Sequence, residues 1–224
     1  MTRRVEHREN ATAAAFVLAG LCFSGALSGA LSYALSGVWP GAANAATFTI
    51  TPGSEGTLVV FESKAPMESF TGRTSAISGQ ITLDPAALAD SVSVEVSVDL
   101  LKLDTGIDLR NQHMRENHLH TDRFPRAIFR GAKLIGEHPA RLESGQAVTL
   151  QIAGEFECHG VKKPLTTPVE VKWDAETNRV HFATTFVVFL ADHDIPRPKM
   201  LFVKLDEKQT VTFTAVAAPV AEAK

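Results

Sequence analysis

The feature that most constrains the fold of this chain is the alternation of apolar and polar residues. Over residues 91–100, four valines and a leucine occupy every second position, and serines and acidic residues fill the others. Similar patterns run through residues 148–158, 169–173, 180–190 and 211–213. Successive side chains of a β-strand point to opposite faces, so this period predicts strands that each have one apolar face.

About eight such segments follow one another, separated by turn signals such as Asp84-Pro85, without a linker or a repeat of fixed period. Their apolar faces must be buried, either between two sheets or inside one closed sheet, and closure also removes exposed strand edges. We therefore predict an all-β fold, an eight-stranded antiparallel barrel. Gly79 and Gly154 interrupt apolar faces, which predicts a barrel corner or a close backbone approach.

The apolar face is predicted to point inward. Outer-membrane barrels carry girdles of aromatic residues, yet residues 46–224 contain no tyrosine and a single tryptophan, Trp173. A pI near 6.2 and the absence of a lysine or arginine run argue against nucleic acid as a partner.

The first 45 residues predict a signal peptide. Arg3, Arg4 and Arg8 precede an uncharged stretch over residues 11–38, and Ala43-Asn44-Ala45 has the small residues of a cleavage site. Cleavage near Ala45 leaves residues 46–224 as one barrel domain of an exported protein, and a retained membrane anchor is the alternative. Cys158 is then the only cysteine, so an intramolecular disulfide is excluded.

One segment breaks the alternation. Residues 105–119 favour a short amphipathic helix, which Thr105 is predicted to cap. Ile107, Met114 and His118 fall near one helical face, with Leu109 toward its edge. Because this helix is inserted between two strands, we expect it to lie over one opening of the barrel.

This segment also carries a family resemblance. The run Leu-Arg-Asn-Gln-His-Met-Arg-Glu-Asn-His-Leu at 109–119, followed by Phe124-Pro125, Ala127 and Phe129, resembles the YceI-like family. The spacing of Gly154, Phe156, Gly160-Val161 and Pro164 resembles a turn of the same family, and residues 189–195 resemble another of its stretches. The resemblance implies a lipocalin-like barrel in the periplasm that holds a polyisoprenoid-type lipid in an internal channel.

With that resemblance, the apolar faces and the helix define candidate ligand-binding residues. The predicted set is Phe61, Phe70, Ile77, Ile81, Val94, Val96, Arg110, His113, Met114, Phe129, Phe156, Phe182, Phe186 and Phe213. Arg110 and Arg115 flank His113, and either meet the head group of a ligand or pair with Asp108 and Glu116 on an exposed face. No catalytic residue, metal or cofactor is expected.

Three functions stay open. The favoured one is an exported protein, not an enzyme, that holds an isoprenoid lipid or quinone for transport, storage or stress protection. The second is a metal- or haem-dependent redox protein that uses His113, His118 and His120, although spacings of five and two residues do not suit one smooth helix. The third is a barrel filled by side chains that acts through its surface. A transient membrane contact and a homodimer stay open as further partners.

Overall fold

Twelve β-strands and a few short helical turns make up most of the part of the chain that the computed structural model describes, residues 45–65, 68–88, 92–200 and 203–220. Apart from Ala45, the predicted signal peptide lies outside these residues. The strands are β1 (Ala46–Ile50), β2 (Leu58–Ala65), β3 (Glu68–Thr74), β4 (Ile77–Leu83), β5 (Ser93–Asp99), β6 (Arg126–Ile135), β7 (Ala147–Cys158), β8 (Val161–Asp174), β9 (Arg179–Phe189), β10 (Lys199–Met200), β11 (Val203–Lys204) and β12 (Lys208–Pro219).

The main sheet closes on itself. Its antiparallel order is β1-β4-β5-β6-β7-β8-β9-β12, and β12 returns to pair with β1, with Pro219 opposite Phe48. β12 has two neighbours on the same side: β2 pairs with its first half, and β1 pairs with its last residues. β3 pairs with β2 as β4 pairs with β1, so β2 and β1 share one strand position and β3 and β4 share the next. The barrel therefore has eight strand positions, which confirms the predicted fold.

The interior is divided between two apolar clusters. The larger one fills the end away from the helix, where Phe48, Ile77, Val171 and Val180 have almost no exposed surface. Burying an aliphatic or phenyl side chain of this kind stabilises the fold by about 1.5–3 kcal/mol. The smaller cluster, which includes Leu100 and Cys158, lies at the helix end and leaves room between its side chains.

Two glycines allow close approach of neighbouring strands, as predicted. A Cβ at Gly79 would lie 2.6 Å from the carbonyl oxygen of Glu95 on β5. A Cβ at Gly154 would overlap the backbone of Arg130 and Gly131 on β6, next to the point where the β6–β7 register shifts. Glycine at these positions lets the backbones of adjacent strands approach without a clash.

The helical segment between β5 and β6 has three parts. A 3₁₀ turn (Leu100–Lys102) leads to helix α1 (Asp108–His113), which continues as a π-helical turn (Met114–His118). A further 3₁₀ turn (Leu190–His193) follows β9. Within the described ranges, no helix combines the length and apolar character needed to cross a membrane.

The predicted helix cap is wrong. The N-cap position is Ile107, which makes no side-chain capping bond, and Thr105 is buried two residues before it. The hydroxyl and backbone N–H of Thr105 both donate to Asn111 Oδ1, at 2.7 and 2.8 Å. Asn111 Nδ2 in turn donates to Asp104 Oδ1 at 2.8 Å. Because Asn111 is buried, its amide oxygen must be satisfied, and Thr105 performs this role instead of capping.

We predict that Gly154→Ala lowers the free energy of unfolding by about 1–3 kcal/mol, because the methyl group collides with the backbone of β6. Denaturant unfolding followed by circular dichroism measures the change. Gly136→Asn is the control: Gly136 has a left-handed backbone with open space around it, which asparagine tolerates. Equal stability of Gly154→Ala and the parent protein would contradict the close approach.

Candidate ligand-binding cavity

A cavity of about 1090 Å³ lies between the helical segment and the adjacent half of the barrel interior. Inward-facing residues of β2 and β12 build one wall in matched rungs, with Val59 opposite Phe213 and Phe61 opposite Val211. The lining comprises Val59, Phe61, Ser63, Phe70, Val96, Val98, Leu100, Leu103, Ile107, Leu109, Arg110, His113, Met114, His118, Leu119, Ala127, Phe129, Phe156, Cys158, Phe186, Val188, Leu190, Ile195, Pro198, Leu205, Gln209, Val211 and Phe213. This volume is inconsistent with a barrel filled throughout by side chains.

Aromatic rings form much of the wall. Phe61 and Phe70 meet edge to face with ring centroids 6.2 Å apart, and Phe156 and Phe186 do so at 5.6 Å. These separations lie within the range that aromatic pairs prefer. The rings therefore hold one another in place and leave their remaining surface to the cavity.

The helical segment covers the cavity only in part. Ile107 and Leu109 both line it, yet 51% and 61% of their surfaces remain exposed to solvent. The opposite side is covered by residues after β9, including Ile195 and Pro198. His118 joins the two sides, because its Nδ1 donates to the carbonyl oxygen of Pro196 at 2.8 Å.

The π-helical turn changes the expected geometry of the histidines. The Leu119 N–H bonds to the Met114 carbonyl, five residues earlier, at 2.8 Å. Such i to i+5 bonding widens the turn, so side chains five apart lie nearer to one face than in an α-helix. His113 and His118 accordingly both line the cavity.

His120, the third predicted member of the cluster, belongs elsewhere. Its Nδ1 lies 2.8 Å from Nε2 of His159, whose Nδ1 donates to the carbonyl oxygen of His193 at 3.0 Å. His159 Nε2 is therefore the acceptor and His120 the donor. Within the described part of the chain, we find no group of three or more histidine, cysteine, aspartate or glutamate side chains with the arrangement of a metal site. Of the three histidines in the redox alternative, His113 and His118 line the cavity and His120 pairs with His159 instead.

Burial controls the titration of two lining groups. It lowers the pKa of His118, an effect opposed by the bond to Pro196 and reinforced by the nearby His113 and His120. Burial also raises the pKa of the Cys158 thiol to about 12. Because the thiolate is the nucleophilic form, Cys158 serves here as an apolar side chain.

The two arginines of the helix have different roles. The guanidinium of Arg110 lies 4.4 Å from the ring centroid of Phe70, and it donates to the hydroxyl and carbonyl oxygens of Thr105. Arg110 lines the cavity, whereas Arg115 does not and instead donates to the Leu103 carbonyl at 3.1 Å. Of the two, Arg110 alone is placed to meet a ligand in this cavity.

Most of the predicted ligand-binding residues come together at this cavity. Its lining includes Phe61, Phe70, Val96, Arg110, His113, Met114, Phe129, Phe156, Phe186 and Phe213. The structure places Ile77, Ile81, Val94 and Phe182 elsewhere, in or against the core that fills the other end of the barrel. They lie on inward faces of their strands but pack in the core and do not line the cavity.

Sequence reasoning missed the polar lining residues on the strands. Ser63 and Gln209 face each other across β2 and β12, and both are buried. A signal was present, because Ser63 continues the inward series of Val59 and Phe61, and Gln209 precedes Val211 and Phe213 at the same spacing. A polar residue in phase with an apolar series indicates a polar group inside the barrel.

A closed eight-stranded antiparallel barrel with an apolar cavity under a helix defines a lipocalin-type barrel. The sequence places the chain more narrowly. The family model described as YceI-like domain matches residues 48–217, so this chain belongs to the YceI-like family.

Individual relatives agree with this assignment. A UPF0312 protein of Vibrio parahaemolyticus is 29% identical over 175 residues, which cover 75% of this chain and 87% of that protein. Among solved structures, a polyisoprenoid-binding domain from Saccharophagus degradans has a TM-score of 0.60 at 18% identity, covering 79% of this chain and 99% of that one. BcnA of Burkholderia cenocepacia has a TM-score of 0.59 at 18% identity, covering 72% of this chain and 96% of that one. At these identities the structural likeness shows the fold.

We predict that acidification destabilises the protein partly through His118. Its pKa is lower in the folded protein than the ordinary value of 6.5, so the unfolded chain takes up this proton at higher pH. Stability should therefore decline as the pH falls through about 6.5, and this component should level off below the folded pKa. In His118→Gln the component is absent, so the variant should lose less stability between about pH 8 and pH 5. Chemical unfolding across this range measures the difference, and parallel losses in both proteins would contradict it.

Proposed function

We propose that this chain is an exported binding protein that holds a long polyisoprenoid lipid or isoprenoid quinone in its cavity. The observation that carries the proposal is a cavity of about 1090 Å³ with an almost entirely apolar lining. Transport, storage and stress protection each require such a protein to keep the lipid out of water. The proposal assigns no catalytic step to the chain.

The cavity has the capacity for a long chain. Liquid water takes about 30 Å³ per molecule, and a carbon of a packed hydrocarbon is of similar size, so the space accommodates roughly 35 carbon atoms. Burial at about 0.8 kcal/mol per methylene gives a gross gain near 28 kcal/mol, beyond the limit of about 18–21 kcal/mol for known non-covalent affinities. About half of that gain, roughly 14 kcal/mol, corresponds to a Kd below 1 nM, at which dissociation is slow.

The comparisons support the ligand class. The Saccharophagus protein of the same fold is described as a polyisoprenoid-binding domain. The basic, apolar and small-residue regions of residues 1–45 support export to the periplasm, with cleavage near Ala45. Ile107 and Leu109, exposed at the cavity opening, support a transient contact with a membrane from which lipid is taken. A homodimer stays a prediction.

We predict that narrowing the cavity weakens lipid binding. In the double variant Val98→Phe, Val211→Phe, two added rings occupy the space of the chain, and binding of a long-chain prenyl alcohol should weaken by about tenfold or more. Co-elution of the labelled alcohol with the protein in gel filtration measures it.

Val187→Phe is the matched control. Val187 lies between Phe186 and Val188 on β9, pairs with Thr210 and is absent from the lining, so its substitution should leave binding unchanged. Unaltered binding in the double variant, with its fold intact, would contradict the proposed site.

A further inference from the structure

Two histidines outside the cavity lining contact each other directly, and we call them the histidine pair. Nδ1 of His120 donates to Nε2 of His159 at 2.8 Å, and the ring centroids are 5.1 Å apart. His120 follows the π-helical turn, whereas His159 lies at the tip of the β7–β8 hairpin, between Cys158 and Val161. Both residues are half-buried, so the pair is partly accessible to solvent.

Both members of the histidine pair have a left-handed backbone, which is uncommon for residues other than glycine. The φ angle is 43° at His120 and 51° at His159. His159 and Gly160, whose φ is 76°, form the two-residue turn of the hairpin, and such turns favour asparagine followed by glycine. The turn itself does not require an imidazole, so the role of this side chain lies in the contacts of its ring.

Packing and backbone hydrogen bonds hold the two rings together. The carbonyl oxygen of His120 accepts from the N–H groups of Arg123 and Phe124, both at 2.9 Å. The Phe124 ring meets the His159 ring edge to face, with centroids 4.6 Å apart. It also fills the space beside Gly160, where a Cβ would lie 2.6 Å from that ring. The loop that carries His120 is therefore fixed against the hairpin that carries His159.

The hydrogen bonds of His159 leave its Nε2 without a proton. Its Nδ1 donates to the carbonyl oxygen of His193 at 3.0 Å. His193 is itself buried, and its Nδ1 lies 3.1 Å from the carbonyl oxygen of Val161. Histidines that bind metals generally donate their second ring N–H to a carboxylate or a backbone carbonyl, which fixes the tautomer and the ring orientation. His159 has this arrangement, and the proton on His120 Nδ1 takes the place of the metal.

The separation of the two nitrogens also suits a metal ion. Imidazole nitrogens bind metals such as zinc at about 2.0–2.1 Å, so two of them lie about 2.8–3.0 Å apart at a right angle and about 3.3–3.4 Å apart at a tetrahedral angle. The 2.8 Å between His120 Nδ1 and His159 Nε2 matches the right angle. Right angles between nitrogen ligands are typical of tetragonal and square-planar Cu²⁺ and Ni²⁺. Binding requires both rings to turn so that their lone pairs point at the ion.

We propose that the histidine pair binds a divalent transition metal ion, with Cu²⁺ preferred, and that water completes the coordination. On binding, the N–H bond at His120 Nδ1 breaks and its proton passes to water, while two nitrogen–metal bonds replace two water–metal bonds without a change of oxidation state. Nitrogen sites bind Cu²⁺ more tightly than Ni²⁺ or Zn²⁺. The pair lies outside the cavity lining, so this proposal does not depend on lipid binding.

Calorimetric titration with Cu²⁺ tests the site, using protein that is purified after expression of the whole chain without a histidine tag. His120→Asn and, separately, His159→Asn should weaken the binding of one Cu²⁺ by about tenfold or more, since loss of an outer-shell partner alone costs about 10–100-fold. Asparagine tolerates the left-handed backbone at both positions, so the variants should fold. Electron paramagnetic resonance should show two nitrogen ligands in the parent protein and one in each variant. His181→Asn, which changes an exposed histidine on β9, is the control and should leave the affinity unaltered.

Each outcome supports or overturns the site. Loss of one nitrogen ligand in each variant, together with the weaker affinity, supports it. Unaltered Cu²⁺ affinity in both variants overturns it, and a loss confined to His118→Gln would place the ion in the cavity instead. Weaker affinity with an unchanged nitrogen pattern, in variants whose circular dichroism matches that of the parent protein, shows an indirect effect and overturns the site. Absence of Cu²⁺ binding in the parent protein shows that the pair holds only a proton and also overturns it.

Discussion

The pairing of β12 with both of its neighbours is the interaction on which the rest of the structure depends. β12 pairs with β9 from Lys208 to Ala217 on one side, and with β2 and then β1 on the other. This closure turns the apolar faces of the strands inward and pairs both edges of β12 within the main sheet. It also sets opposite one another the residues that form the cavity wall, so the binding surface is a consequence of the strand register.

The two ends of the barrel interior carry different side chains, and one end supplies stability while the other forms the cavity. At the end away from the helix, aliphatic residues and Phe48 fill the interior and stabilise the closed sheet. At the other end, phenylalanine rings pack edge to face and a partly exposed helical segment replaces a packed lid. Stability and ligand capacity are thereby separated within a single interior. The polar groups of the cavity all belong to the end that opens.

The strands, their closure and the position of the inserted helix follow from local patterns, so they could be predicted. Alternation indicates which face a side chain occupies but not whether it lines the cavity or packs in the core, so it does not separate Ile77 and Phe182 from the cavity residues. The partners of Thr105 and His120 could not be predicted, since Asn111 and His159 become neighbours only after folding. A regular helical period does not predict a π-helical turn. The placement of both His113 and His118 at the cavity therefore could not be predicted either.

Mass spectrometry of the purified protein, both native and after solvent extraction, tests lipid carriage most directly. Protein expressed in a bacterium with its own isoprenoid lipids and purified without detergent should retain one long-chain isoprenoid per chain. The native mass should exceed that of the polypeptide by the mass of this lipid, and the extract should contain it. A native mass equal to the bare polypeptide, together with an extract free of lipid, would contradict stable binding in the cavity.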